Sequence, residues 1–120
     1  MTRDELIARI EAGEAGPGLL CAIAQIVRWR FDEGEIGSYS AETTLTHFAK
    51  TRSWNDAVDF LCIPGWLTSL DAAAALVTTM DWIMCRDGSA SVADGQRSVW
   101  SRVKGNPAAA LVAAWLKATA

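Results

Sequence analysis

One histidine, one tyrosine and three prolines are all that this 120-residue chain has of those residues. No stretch approaches the roughly 18 uncharged apolar residues that a membrane span requires. The lack of histidine leaves little material for nucleophilic or metal chemistry. His47 has no serine, cysteine or carboxylate at a spacing that would make it a base, and it reads as a solvent-edge residue. Glycine-rich phosphate loops, nucleophile elbows and clustered Cys/His ligand sets are all missing. The chain is therefore expected not to be an enzyme and to hold no cofactor and no metal. The N-terminus, Met1-Thr2-Arg3-Asp4-Glu5, lacks the apolar stretch of a signal peptide, so a cytoplasmic protein without membrane attachment is expected. Cys21, Cys62 and Cys85 stand at long, irregular spacings among apolar neighbours, as buried free thiols of a reducing compartment do.

The length suits a single domain, with residues 1–60 forming a mainly helical half and residues 61–120 an α-β-α half. Thr2-Arg3-Asp4-Glu5 is a capping box, and Leu6, Ile7 and Ile10 follow on one face of a helix ending at Gly13 or Gly16. Pro17 starts a second helix with Leu19, Leu20, Ile23, Ile26 and Val27 on its apolar side. Trp29, between Arg28 and Arg30, is either an exposed anchor for a partner or a lid on the domain edge, and the lid is the expected reading. From Phe31 to Ser40 the pattern dissolves into glycines and acids, with no calcium-loop spacing. Ser40 caps a third helix reaching about Lys50, with Ala41, Leu45, Phe48 and Ala49 inward. Residues 53–61 form a helical turn or short helix with Trp54, Ala57, Val58 and Leu61 on one side.

After Pro64-Gly65 the pattern is clearest. Thr68 or Ser69 caps a helix from 69 to about 80, and its stripe of Leu70, Ala73, Ala74 and Val77 suits close approach to a sheet. Three short strands follow, over 81–86, 89–93 and 96–103, separated by Asp87-Gly88 and Asp94-Gly95, each a two-residue hairpin signal. Trp82 and Met84 lie opposite Ile83 and Cys85; Val99, Ser101 and Val103 lie opposite Ser98, Trp100 and Arg102. Neither face is cleanly polar, which predicts at least partial cover on both. Asn106-Pro107 opens a last helix with Leu111, Val112, Trp115 and Leu116. The expected fold is α+β: N-terminal helices, then an αβββα layered helix–sheet arrangement around a three-stranded antiparallel meander.

The segments Thr68-Ser69-Leu70-Asp71-Ala72-Ala73-Ala74-Ala75-Leu76 and Asn106-Pro107-Ala108-Ala109-Ala110-Leu111-Val112-Ala113-Ala114-Trp115-Leu116 resemble small phage and prophage proteins of α-proteobacteria that have an α-β-α sandwich domain. Glu5–Ala12 is similar to the first helix of those proteins. The resemblance covers about half the chain, mostly residues 64–120, and brings no catalytic or binding residues with it. It implies a non-enzymatic phage or prophage accessory protein, in the cytoplasm of a bacterial host, acting by binding a host or phage protein. An inhibitor of a host defence complex such as a CRISPR effector is the specific form considered. A structural or regulatory homo-oligomer packing through its tryptophans is the alternative.

Charge is uneven, although the net charge is only −3. Residues 32–59 carry six acids against Lys50 and Arg52, while residues 86–104 carry Arg86, Arg97, Arg102 and Lys104 against Asp87 and Asp94. The acidic stretch suits a basic channel in a partner, and with the flanking tryptophans it gives the candidate contact residues Asp32, Glu33, Glu35, Glu42, Trp29, Trp54 and Trp100. Direct nucleic-acid binding through Arg97, Trp100, Arg102 and Lys104 is the weaker expectation for an acidic chain.

Overall fold

The helix starts at Thr2, Pro17, Ser40, Ser69 and Asn106 are made by the side chains whose spacing predicts them, and Ser53 adds a cap not marked in the sequence reading. The computed structural model describes residues 2–32, 38–48, 53–78, 80–93, 95 and 97–119. Thr2 Oγ1 accepts from Glu5 N at α1 (Arg3–Glu11), and Pro17 takes the first position of α2 (Pro17–Ile26). Ser40 Oγ accepts from Thr43 N at α3 (Ala41–Phe48), and Ser53 Oγ from Asp56 N at α4 (Trp54–Phe60). Ser69 Oγ accepts from Ala72 N at α5 (Leu70–Leu76), and Asn106 Oδ1 from Ala109 N at α6 (Pro107–Ala118). Each cap satisfies an amide that has no partner inside its own helix.

The chain is α+β, and it divides into two compact units, Gly16–Pro64 and Met1–Ala15 together with Gly65–Ala120. In the first, α2 packs on α3 and α4, and a short ladder joins β1 (Arg30–Asp32) to β2 (Ser38–Ser40) with Arg30 opposite Ser40. That ladder falls within the stretch whose pattern dissolves in the sequence. In the second unit, β3 (Asp81–Met84), β4 (Ser89–Ala93) and β5 (Ser98–Arg102) form an antiparallel meander in the order of the chain. Helix α6 packs on all three strands and on α1 and α5.

Alanine makes this arrangement possible. Ala108, Ala109, Ala110, Ala113 and Ala114 are buried on several sides of α6, so backbones approach it closely, while Leu111, Val112 and Leu116 fill the remaining space. The alanine stripe of α5 turns toward α6, and it is α6 that covers the sheet. Helix α5 is also shorter than its stripe suggests, ending at Leu76 with Val77 as its C-cap. Val77, Thr78 and Thr79 are three β-branched residues in succession, and Thr78 Oγ1 turns back onto the carbonyl of Ala75.

The first hairpin differs from its predicted two-residue form. Gly88 N donates to Cys85 O (3.1 Å) and Cys85 N to Ser89 O (2.9 Å), with φ +86° at Gly88. This is a three-residue Arg86-Asp87-Gly88 loop closed by a glycine bulge. Asp94 of the second turn lies outside the described residues.

Three elements of the second unit meet at Glu11. Its Oε2 accepts from Ser101 Oγ on β5 (2.8 Å) and from Lys117 Nζ on α6 (2.7 Å). Lys117 Nζ also donates to Trp100 O (3.1 Å), capping a carbonyl of the edge strand β5. Burial raises the carboxyl's pKa, but the Lys117 and Ser101 donors outweigh it and leave Glu11 below the usual glutamate value. A depressed folded-state pKa means that protonation favours unfolding. The contribution is complete above about pH 5 and is lost as pH falls below about 4. Both partners are about a third exposed, so the pair contributes roughly 1 kcal/mol at neutral pH rather than the larger figure of a dry ion pair. Urea midpoints measured at pH 7 and pH 3.5 are expected to differ less in Glu11→Gln than in the parent chain.

Candidate functional site

The register of the meander settles which side chains share a face. Ile83 pairs with Ser91 and Ser91 with Trp100, so these three form a row straight across the sheet. Trp82, Met84, Ala90, Val92, Val99 and Ser101 lie on the opposite face. Of the two faces expected to be at least partly covered, α6 fills one. On the other, Ile83 is 57% exposed and Trp100 48%, while Ser91 between them is only 5% exposed. A serine on an otherwise open face is buried because the flanking isoleucine and tryptophan stand over it. Beside the row is a shallow recess of about 180 Å³ lined by Asp81, Trp82, Ile83, Ser91, Ala93 and Ser98.

One end of this face is basic. Ser89 pairs with Arg102, which places Arg102 near the Arg86 loop, and Lys104 follows two residues on; all three are exposed. Asp87 shares that loop, and its Oδ1 accepts from Ser89 Oγ (2.6 Å) and Ser89 N (2.9 Å). Those donors lower its pKa and keep it ionised. Comparison with family models, with curated proteins and with solved structures finds no match. The reading of this face rests on its own geometry.

The residues singled out from the sequence are dispersed. Glu33 and Glu35 lie outside the described residues, as do the side chains of Asp32 and His47. Trp100 is on the open sheet face. Trp54 is half exposed on α4, with its ring standing 3.7 Å from the position a Cβ would take at Gly18 of α2. Among the described residues no three His, Cys, Asp or Glu side chains are placed to share a metal ion, and no helix is long and apolar enough to cross a membrane. Ile83, which is exposed over a larger fraction of its surface than Trp100, reads in the sequence only as a strand residue. Its alternation with Trp82 and Met84 was visible, but not which of the two sides would be covered.

Trp29 is held in place rather than projecting outward. Its Nε1 donates to the carbonyl of Leu61 (2.7 Å), an acceptor at the end of α4 that the helix itself leaves unpaired. The same geometry closes both helices. At α2, Trp29 N donates to Ala24 O and Arg28 N to Gln25 O; at α4, Ile63 N donates to Val58 O and Cys62 N to Asp59 O. Each pair is a Schellman motif, which puts its penultimate residue in the left-handed region, where glycine is usual. In α1 that residue is Gly13, but in α2 it is Arg28 at φ +54° and in α4 Cys62 at φ +51°. The left-handed conformation costs a non-glycine residue about 1 kcal/mol or more. It also turns Cys62 outward, and Cys85 is only half-buried, so the expectation of three buried thiols holds for Cys21 alone. Cys21 is buried, and burial pushes its thiol up to about 11.

Beside Arg28 is a recess of about 500 Å³, lined among the described residues by Gln25, Arg28, Arg30, Ser40 and Glu42. Glu42, grouped in the sequence with an acidic stretch, thus lines one recess together with two arginines.

Proposed function

We propose that the chain is a non-enzymatic binding protein and that the open face of the meander is the surface it presents to a protein partner. The row Ile83–Ser91–Trp100 carries this reading, because two large apolar side chains are exposed on either side of Ser91 while the reverse of the sheet is filled by α6. Tryptophan and arginine are the residues most enriched where interfaces concentrate their energy. Arg86, Arg102 and Lys104 at one end favour an acidic partner surface. The resemblance of Thr68–Leu76 and Asn106–Leu116 to phage and prophage proteins supports an accessory protein of that setting, with inhibition of a host defence complex as its specific form. A second reading uses the same row. Two copies related by a two-fold axis would each offer it, as sheets packed face to face do.

The test compares the parent chain with an Ile83→Ser/Trp100→Ser double variant. Both side chains are about half exposed, so stability is expected to stay within about 1 kcal/mol. A host protein captured by the parent is expected to bind the variant at least about tenfold more weakly. Light scattering at high concentration is expected to give monomers for both. A dimer that the variant loses would select the second reading, and equal capture by the two chains would overturn both.

A further inference from the structure

We propose that the recess at the end of α2 binds a small oxyanion-bearing solute, with Arg28 and Arg30 as the residues that grip its carboxylate or phosphate group. Three stretches of chain converge there: the Schellman turn that closes α2, the first residue of β1, and the junction between β2 and α3. Every described side chain that lines it is polar. Arg30 and Ser40 are direct partners across the β1–β2 ladder. Among the described residues, no ion pair occupies Arg28, Arg30 or Glu42.

The chemistry is that of an oxyanion site. A guanidinium is charged at any relevant pH, and its planar fork matches the two oxygens of a carboxylate or a phosphate. Ser40 Oγ already accepts from Thr43 N and lies 2.9 Å from Thr43 Oγ1; with the threonine as donor in that pair, the serine proton is free to turn toward a ligand. Glu42 accepts hydrogen bonds only. It favours a ligand that carries an ammonium or hydroxyl beside its anionic group, and it opposes polyanions.

Arg28 supplies a second, independent argument. Glycine at this position would take φ +54° freely, as Gly13 does at the end of α1. An arginine kept in a left-handed conformation, on the lining of a recess that a second arginine also lines, has the mark of a residue held for its side chain at a cost to the fold.

The experiment is an NMR titration of the full chain with inorganic phosphate, sodium acetate and glycine, with sodium chloride at matched ionic strength as the control. Saturable shifts are expected at the backbone amides of Arg28, Arg30 and Ser40. Shifts with phosphate alone identify the bound group as a phosphate, and shifts with acetate or glycine alone identify a carboxylate; either result supports the site. Arg28→Gly preserves the turn and is expected to melt no lower than the parent, yet to bind about tenfold more weakly or worse. Arg30→Gln is expected to weaken binding similarly, and Glu42→Gln to tighten phosphate severalfold. Equal shifts with chloride, or affinities unchanged in both arginine variants, would overturn the proposal.

Discussion

Leu111→Ala is expected to destabilise the fold by about 2–5 kcal/mol, the largest effect of any single truncation considered. Leu111 lies mid-way along α6 and is fully buried. What decides the magnitude is how little the surroundings can do about the hole. On the same helix Ala108, Ala109, Ala110, Ala113 and Ala114 are all buried, and alanine has no rotamer to swing into vacated space. Across the sheet the residues on the α6 side of β4 are Ala90 and Val92, again small or stiff. Such a site cannot collapse, so both the lost transfer energy and the cavity term apply in full. Because α6 packs on β3, β4, β5, α1 and α5, the loss is shared by every element of its unit. For a domain whose whole stability is about 5–15 kcal/mol, that is a large fraction. Urea unfolding followed by far-ultraviolet circular dichroism checks it. The expected result is a lower midpoint with an unchanged slope, and a midpoint within error of the parent would show that the core around α6 repacks freely.

Much of this architecture is legible in the sequence because it is locally determined. A serine, threonine or asparagine three residues before a free amide is a geometric statement, and Thr2, Ser40, Ser69 and Asn106 all make the bond that spacing implies. The alternation of side chains in β3 and β5 is equally local. What was not legible depends on partners. Helices α5 and α6 both have alanine stripes, and a stripe does not say whether a sheet or another helix will lie against it. The β1–β2 ladder consists of two three-residue strands separated by residues without alternation, so no local preference marks it. Asp87-Gly88 serves two hairpin geometries, since both put glycine at positive φ; they differ in whether the aspartate follows.

The candidate surfaces were half legible for the same reason. Trp100 stands out in any sequence, but its significance comes from Ile83 two strands away, and the register joining them is fixed by the turns between. Arg28 was hidden more deeply. The apolar spacing from Leu19 to Val27 gives no stop signal at Arg28, because the usual sign of a left-handed terminus is a glycine, and none is present. The recess with Arg30 and Glu42 follows from that unmarked turn. Acidic residues close in sequence suggest one surface, whereas folding puts Glu42 on the lining of a recess that it shares with two arginines.

Asn106→Ala is expected to cost about 3 kcal/mol, because one side chain meets two separate obligations. Its Oδ1 accepts from Ala109 N (3.1 Å), capping the first turn of α6, a role worth about 1 kcal/mol. Its Nδ2 donates to Leu67 O (2.7 Å), and Leu67 is fully buried. A buried carbonyl stripped of its donor costs about 1–3 kcal/mol beyond the bond itself. Asn106→Asp separates the two terms. The aspartate keeps the acceptor and adds negative charge where the helix dipole welcomes it, but it has no amide proton and sets a carboxylate against the Leu67 carbonyl. If the donor matters more than the cap, Asn106→Asp should lose most of what Asn106→Ala loses. Thermal or urea unfolding of the two variants decides this, and an aspartate variant as stable as the parent would show that the Leu67 carbonyl needs no donor. The asparagine thus joins the approach to α5 to the start of α6, two segments 39 residues apart, through one planar amide.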